Sequence, residues 1–305
     1  MSKTIAGMIG RFAGLATCFM KPGRRALALA LASERLQQVR TVPTPRGDLV
    51  LCCPTARALH DPLNFARDEP ETIAWIDAFV ADGDVLWDIG ANIGLYALYA
   101  ALGPGIRVLA FEPGAGSFAA LMRNVELNGM GDRIAAYCLA FDETTGLDVL
   151  HMMHTGAGHS MHAFERGEAA DWPMTPVFSQ PSLGFTIDDF CRIFEVAPPD
   201  HVKLDVDGNE AKIIRGGQRT LAGAKSVLVE IEDRGGDGEA GAVAAALKAL
   251  GFRAAEDFNR EGARNQLFLN PGRRGCTTAE PITRRPITAA PITAAPITAA
   301  RTPPG

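Results

Sequence analysis

Between residues 71 and 270 the apolar positions change period repeatedly. Ile73, Ile76, Phe79 and Val80 recur at helical spacing over 71–80, and Pro70 suits the first turn of a helix. Residues 85–89 read Val-Leu-Trp-Asp-Ile, a short apolar run typical of a strand buried on both faces. The alternation then predicts a helix over 93–101, a strand over 107–112, a helix over 116–128 and a strand over 134–139. Further on, strands over 202–206 and 226–231 flank a helix that starts at Glu210. An alanine-rich helix covers 240–250, and 252–256 with 266–270 form a closing antiparallel pair. Alternating strands and helices predict an α/β fold, a mostly parallel sheet with helices on both faces. Ligands of such sheets bind at the carboxyl ends of the strands, near the switch in strand order.

Three segments depart from this pattern. Residues 1–47 predict a basic arm, weakly helical or disordered, ending at Pro43 and Pro45. Residues 48–270 form the folded domain, within which 151–182 reads as an irregular insertion, a polar loop able to lie over a site. Residues 271–305 repeat Pro-Ile-Thr at 281, 286, 291 and 296, so a proline every five residues forbids a continuous helix and removes strand donors. That tail is expected to be disordered.

Composition narrows the class. Hydrophobic residues make up 47% of the 305 and charged residues 21%, which excludes a fibrous or wholly disordered chain. Six cysteines without a C-x-x-C pair fit a reducing cytoplasm better than a disulfide scaffold or zinc ribbon. Net charge is uneven: residues 1–47 carry eight Lys/Arg against Glu34, a net of +7, whereas 48–270 carry 17 against 33 acidic residues, a net of −16. A body that acidic repels phosphate backbones, so nucleic acid is not expected as a substrate. No apolar stretch is long enough for a transmembrane span, but the basic arm offers weak peripheral contact with anionic lipid.

The chemistry centres on Asp88-Ile89-Gly90-Ala91-Asn92-Ile93-Gly94, directly after the first strand of this alternation. Gly90 permits a tight turn and close ligand approach, and Gly94 lets the next helix pack on the sheet. Glu112 closes the following strand, placed to accept both hydroxyls of an adenosine ribose. A dinucleotide fold uses G-x-G-x-x-G to cradle a pyrophosphate. Here the pattern is D-x-G-x-x-x-G, and the acidic residue suits a ligand with a positive amino group and no phosphate, such as S-adenosylmethionine.

Seven pieces in order, "EPETIAWID" (69–77), "DVLWDIGANIGLYAL" (84–98), "AFEP" (110–113), "NVELNG" (124–129), "FTIDDF" (185–190), "VKLDVDGNEAKIIRGG" (202–217) and "VLVEIE" (227–232), resemble the FkbM family of S-adenosylmethionine-dependent methyltransferases. Asp207 stands where the family's D-x-E-G-x-E motif most often has glutamate. The resemblance implies a Rossmann-like class I methyltransferase fold, with a seven-stranded mostly parallel sheet whose last strand is antiparallel. It implies that Asp88, Gly90, Ala91, Asn92 and Gly94 line the methionine and ribose part of the cofactor and that Glu112 binds the ribose. It further implies that Ala140, Phe141 and Asp142 surround the adenine and that Asp205 stands beside the reacting sulfonium. Asp142 has a second reading, as the residue opening the turn "DETTG".

The acceptor side rests on the residues themselves. Asp205 and Asp207 bracket a strand end, where carboxylates serve ligands when they surround a cleft. Glu230 and Glu232 share one face of the next strand, and Glu230 is the choice to border the acceptor pocket. His151, His154, His159 and His162 are spaced H-x2-H-x4-H-x2-H, but Gly156 and Gly158 interrupt the segment, so a catalytic imidazole from a loop, His159 or His162, is preferred to a zinc site. The expected activity is metal-independent O-methylation of a hydroxyl on a sugar, lipid-linked glycan or small metabolite, with Asp205 as base. A divalent metal bridging Asp205 and Glu230 is the alternative mechanism. Alternative functions are an NAD(P)-dependent oxidoreductase and a cofactor-binding module without catalysis. A nucleic-acid methyltransferase is disfavoured, because Asp205-Val206-Asp207-Gly208 lacks the paired prolines and aromatic that hold a flipped base.

Overall fold

A computed structural model of the chain describes residues 2–160, 162–165, 175–231, 238–260 and 263–273. The Pro-Ile-Thr repeats and Glu232 lie outside them. Two compact units divide the chain, Met1–Gln38 and Val39–Gly305. The first holds helices α1 (Ser2–Ala16) and α2 (Pro22–Arg35), the latter with proline in its first turn.

The second unit opens with a two-stranded sheet, β1 (Gln38–Thr44) and β2 (Gly47–Cys53), which the sequence pattern had not suggested. Helices α3 (His60–Asp68) and α4 (Pro70–Phe79) follow, separated only by Glu69. Then come β3 (Val85–Ile89), α5 (Leu95–Ala101), β4 (Arg107–Phe111), α6 (Ala115–Leu127) and β5 (Ile134–Tyr137). A run of strands follows: β6 (Ala140–Phe141), β7 (Gly146–Met152), β8 (His162–Glu165) and β9 (Phe178–Phe185). The chain continues through α7 (Ile187–Phe194), β10 (His201–Leu204), α8 (Glu210–Gly216), α9 (Gln218–Leu221) and β11 (Ser226–Glu230). It closes with α10 (Gly238–Ala249), β12 (Arg253–Ala254) and β13 (Asn265–Leu269).

The main sheet has the order β12-β13-β11-β10-β3-β4-β5. Its last strand in sequence, β13, runs antiparallel to both neighbours, and the other pairings are parallel. The fold is thus the expected α/β class, with seven strands and one antiparallel member. Side chains alternate between two cores. Leu86 packs with Ile73, Leu98, Val108 and Leu228 on one face; Val85, Trp87 and Ile89 pack with Phe111, Phe190 and Ile213 on the other. This double burial explains why the strands read as unbroken apolar runs. Trp87 is fully buried and stacks on Phe141 at 6.0 Å between ring centres. Strand order reverses around β3: the chain steps outward to β4 and β5, then returns to β10 on the other side, opening a crevice at the strand ends.

The described part of 151–182 is only partly irregular: 151–152, 162–165 and 178–182 are strand, and 153–160 and 175–177 are loop. Strands β6, β9, β7 and β8 form a four-stranded sheet, with β7 and β9 antiparallel from Gly146↔Gly184 to Met152↔Phe178. Burial along β7 and β9 is uneven, with Leu150, His151 and Met152 buried in succession, and Gly146, Pro181 and Gly184 break their pattern, so periodicity gives a faint signal there. The two asparagines of "NVELNG" explain how β2 is held. Asn124 Oδ1 accepts from Cys52 N–H at 2.7 Å, Asn128 Oδ1 accepts from Val50 N–H at 2.9 Å, and Asn128 Nδ2 donates back to Val50 O. Asn124 Nδ2 also donates to Ile93 O, tying the turn after β3 to α6.

Candidate active site

The carboxyl ends of β3, β4, β10 and β11 open onto one cavity of about 370 Å³. Its floor is the turn after β3. Gly90, Asn92 and Gly94 all have positive φ, at 85°, 50° and 85°. Gly90 and Ala91 N–H both donate to Phe111 O, which clips the turn to β4. A Cβ on Gly90 would stand 1.7 Å from the Asp205 carbonyl oxygen. The glycine is therefore demanded by the approach of β10's end as well as by its φ. Gly94 starts α5, where a Cβ would meet Leu121, so it serves packing and does not line the cavity.

Glu112 is buried beside this turn. Its Oε2 accepts from Asn92 N–H at 2.9 Å and its Oε1 from Gly114 N–H at 2.7 Å. Burial pushes its carboxyl up to about 7, against the pull of those two N–H groups. Asp88 is 2% exposed, and its Oδ1 has no hydrogen-bond partner. Burial raises it to about 6; Lys203 opposes the shift, and Asp205 and Glu69 reinforce it. Asn92 Oδ1 is likewise buried without a partner, and both residues line the cavity. Orphaned acceptors are costly unless a donor meets them. Two of them beside Glu112 match a ligand rich in N–H and O–H donors and carrying positive charge. The residues present thus fit S-adenosylmethionine.

The opposite wall is a charge cluster. Lys203, 2% exposed within β10, donates to Asp205 Oδ2 at 2.5 Å, lies 3.8 Å from Glu69 Oε2 and sits 5.2 Å over the Tyr96 ring. Burial opposes its charge, but Asp205, Glu69 and Asp88 outweigh burial and hold the ammonium above its ordinary range. Asp205 is half-buried, and Lys203 and a hydrogen bond with Glu230 keep its carboxyl below the usual range against the opposing effect of desolvation. Glu230 goes the other way: burial first, then its bond to Asp205, push it up to about 9. The shared proton therefore resides on Glu230, which donates to the Asp205 carboxylate. Arg264 Nη1 reaches Glu230 Oε1 at 2.7 Å. Two cations and a proton already compensate the Asp205–Glu230 pair, which disfavours it as a metal bridge.

The sequence-predicted residues divide clearly. Asp88, Gly90, Ala91, Asn92, Glu112, Ala140, Phe141, His159, Asp205 and Glu230 all line the cavity. Asp142 does not. Its N–H donates to Phe185 O where β6 meets β9, and its buried Oδ1 has no hydrogen-bond partner. The histidines do not act as a group. His151 lies in β7 against Ser179 Oγ at 3.1 Å, and the His154 ring packs on His159 at 4.3 Å. His159 and His162 reach the cavity wall; burial, then His154 and Arg57, lower the His159 pKa and keep its imidazole neutral. Among the described residues the grouping with ligand atoms within 4.8 Å is His60, Asp61 and Asp68, at the cavity wall, where Arg57 already pairs with Asp61. Sequence reasoning missed Glu69, Tyr96, Lys203 and Arg264 as site residues. Lys203 carried a signal, a lysine inside a fully buried strand, because such a charge demands partners.

A family profile described as "Methyltransferase FkbM domain" matches residues 88–254. The hexuronic acid methyltransferase AglP of Haloferax volcanii is 29% identical over 168 residues, 54% of this chain and 63% of AglP. The 31-O-demethyl-FK506 methyltransferase FkbM of Streptomyces tacrolimicus is 28% identical over 196 residues, 56% of this chain and 73% of that protein. Among solved structures, methyltransferase FkbM from Methylobacillus flagellatus KT is similar with a TM-score of 0.41 and 16% identity, covering 62% of this chain and 44% of that one. The matched region thus spans less than two thirds of AglP and less than half of the Methylobacillus chain.

Proposed function

The chain belongs to the FkbM methyltransferase family, and on that premise we propose that it moves a methyl group from S-adenosylmethionine to a hydroxyl oxygen of a sugar, lipid-linked glycan or small metabolite. The observation that carries this reading is the convergence of Asp88, Glu112 and Asp205, from the ends of three neighbouring strands, on one cavity. Asp88, Gly90, Ala91, Asn92, Glu112, Ala140 and Phe141 would hold the cofactor. Bound there, it supplies an electrophilic methyl on a cationic sulfur.

The protein's own part is to orient the acceptor and take its proton. A neutral hydroxyl is a weak nucleophile, but its proton becomes strongly acidic as the oxygen gains a bond. An ionised carboxylate then suffices as base, even one of lowered pKa. Lys203 keeps Asp205 ionised, and Glu230, protonated, fixes its orientation. The proton passes to an Asp205 carboxylate oxygen, while neutral His159 is the second acceptor on the wall. The cavity wall carries eight carboxyl side chains against three Lys/Arg, which favours an uncharged polyhydroxylated acceptor over an anionic one. The reading places the protein in the cytoplasm, consistent with free thiols at Cys18, Cys52, Cys53, Cys138 and Cys191.

Calorimetric titration with S-adenosylmethionine, its demethylated product and NADH tests the cofactor. Binding of the first two and not the third is expected; NADH binding alone would return the oxidoreductase alternative. Mass spectrometry of glycans and metabolites from cells with and without the gene then tests transfer. Cofactor binding with no product differing by one methyl group would leave a binding module without catalysis.

A further inference from the structure

Helix α1 carries Ile5, Met8, Ile9, Phe12 and Leu15 three or four residues apart, a single apolar stripe. No other described part of this unit covers that stripe. Here Met8, Phe12 and Leu15 are 65%, 72% and 71% exposed, and Phe19 in the following turn is 82% exposed. In α1 the half-buried residues are Ala13 and Gly14, away from the stripe, and Thr17 and Met20 follow in the turn. Helix α2 repeats the arrangement, with Leu27 and Leu31 exposed one turn apart and Arg24 one turn before them. Lys3, Arg11, Lys21, Arg24 and Arg25 surround these apolar residues, and Glu34 is the one acid in 1–47.

We propose that this first unit lies flat in the interface of an anionic lipid bilayer, with Ile5, Met8, Ile9, Phe12, Leu15 and Phe19 among the acyl chains and the Lys/Arg groups at the headgroups. Fifteen residues of helix reach about 22 Å, short of the roughly 30 Å hydrocarbon core, so α1 lies on the membrane and does not cross it. No helix among the described residues is long and apolar enough to span. Charge decides between a lipid surface and a second copy of this unit. Two copies meeting stripe to stripe would bring together two units of +5, six Lys/Arg against Glu34 over 1–38 in each, whereas anionic headgroups neutralise that charge. The body, at −16 over 48–270, is repelled by the same headgroups, so attachment falls to the basic unit.

The test uses the full chain in vesicle flotation, with phosphatidylglycerol–phosphatidylcholine vesicles and with pure phosphatidylcholine vesicles, at low and high salt. Flotation with the anionic vesicles alone, weakened by salt, is expected. Ile9→Asp with Phe12→Asp should weaken it at least tenfold while leaving the melting temperature of the body unchanged. Lys21→Gln, Arg24→Gln and Arg25→Gln together should weaken it by on the order of 10²-fold at low salt. Sedimentation equilibrium of the same proteins supplies the contrary outcome. Oligomers that dissociate in the Asp variant, with no vesicle binding by the native chain, would assign the stripe to a second copy and overturn the proposal. Equal flotation of native and variant chains would overturn it as well.

Discussion

Replacing Lys203 by methionine removes a buried cation and keeps much of its shape. In the native protein Nζ lies 2.5 Å from Asp205 Oδ2 and 3.8 Å from Glu69 Oε2. At an effective dielectric of about 20 these pairs attract by about 7 and about 4 kcal/mol. Burying the ammonium opposes that gain by several kcal/mol, so the net loss expected on removing it is about 3–5 kcal/mol. The loss has a pH signature. Without Lys203, half-buried Asp205 and Glu69 and buried Asp88 are carboxyls close together with no cation among them, and their folded pKa values rise above the unfolded ones. A carboxyl raised in this way is penalised above its unfolded pKa of about 4, and the penalty fades as pH falls through the raised value. The deficit should therefore be largest near pH 8 and shrink toward pH 5. The native protein also loses stability from pH 5 to pH 8, because Asp88 and Glu112 are raised in the fold to about 6 and about 7, so the deficit is the difference between variant and native at each pH. Lys203, raised in the fold, contributes fully below about 10, and Asp205, lowered in the fold, contributes fully above about 4. Urea unfolding at pH 5, 6.5 and 8, compared at constant m, measures the difference. A deficit below about 1 kcal/mol at pH 8, or one that grows as pH falls, would refute the assignment of Lys203 as the counter-ion of this cluster.

Other outcomes follow from the same geometry. Asp205→Asn keeps shape and removes charge, so turnover should fall by on the order of 10²–10⁴ while cofactor affinity, read by calorimetry, changes far less; normal turnover would end its role as base. Cofactor binding should release protons, because Asp88 and Glu112, raised to about 6 and about 7 when free, are driven to their ionised forms by a cation and hydroxyl donors. Calorimetry in buffers of different ionisation enthalpy should show this release near pH 6 and its disappearance near pH 9, and proton uptake would contradict it. Gly90→Ala puts a methyl into the Asp205 carbonyl at positive φ, so loss of cofactor binding and destabilisation above about 2 kcal/mol are expected. Gly131→Ala, with nothing within 4 Å of the added Cβ, should stay within about 0.5 kcal/mol of native and serves as the control.

Local pattern alone made legible the strands of the main sheet, most of its flanking helices, and Asp88, Gly90 and Glu112, which the fold brings to the cavity. All of these are encoded over short distances: a strand's unbroken apolar run, a helix's spacing, a glycine where φ must be positive, an acid at a strand end. Tertiary structure decided the rest. The antiparallel strands around 146–185 meet across a long connection, and partly exposed strands with glycine and proline leave little periodicity. Glu69 joins Lys203 from the boundary between α3 and α4, and Arg264 joins Glu230 from the residue before β13, the strand beside β11. No spacing in the chain encodes those encounters. They also change the chemistry, since it is Lys203 that sets which of Asp205 and Glu230 holds the proton. A residue's type and position on its own strand can be read locally; its protonation state depends on the charges that folding places around it in a medium of low dielectric.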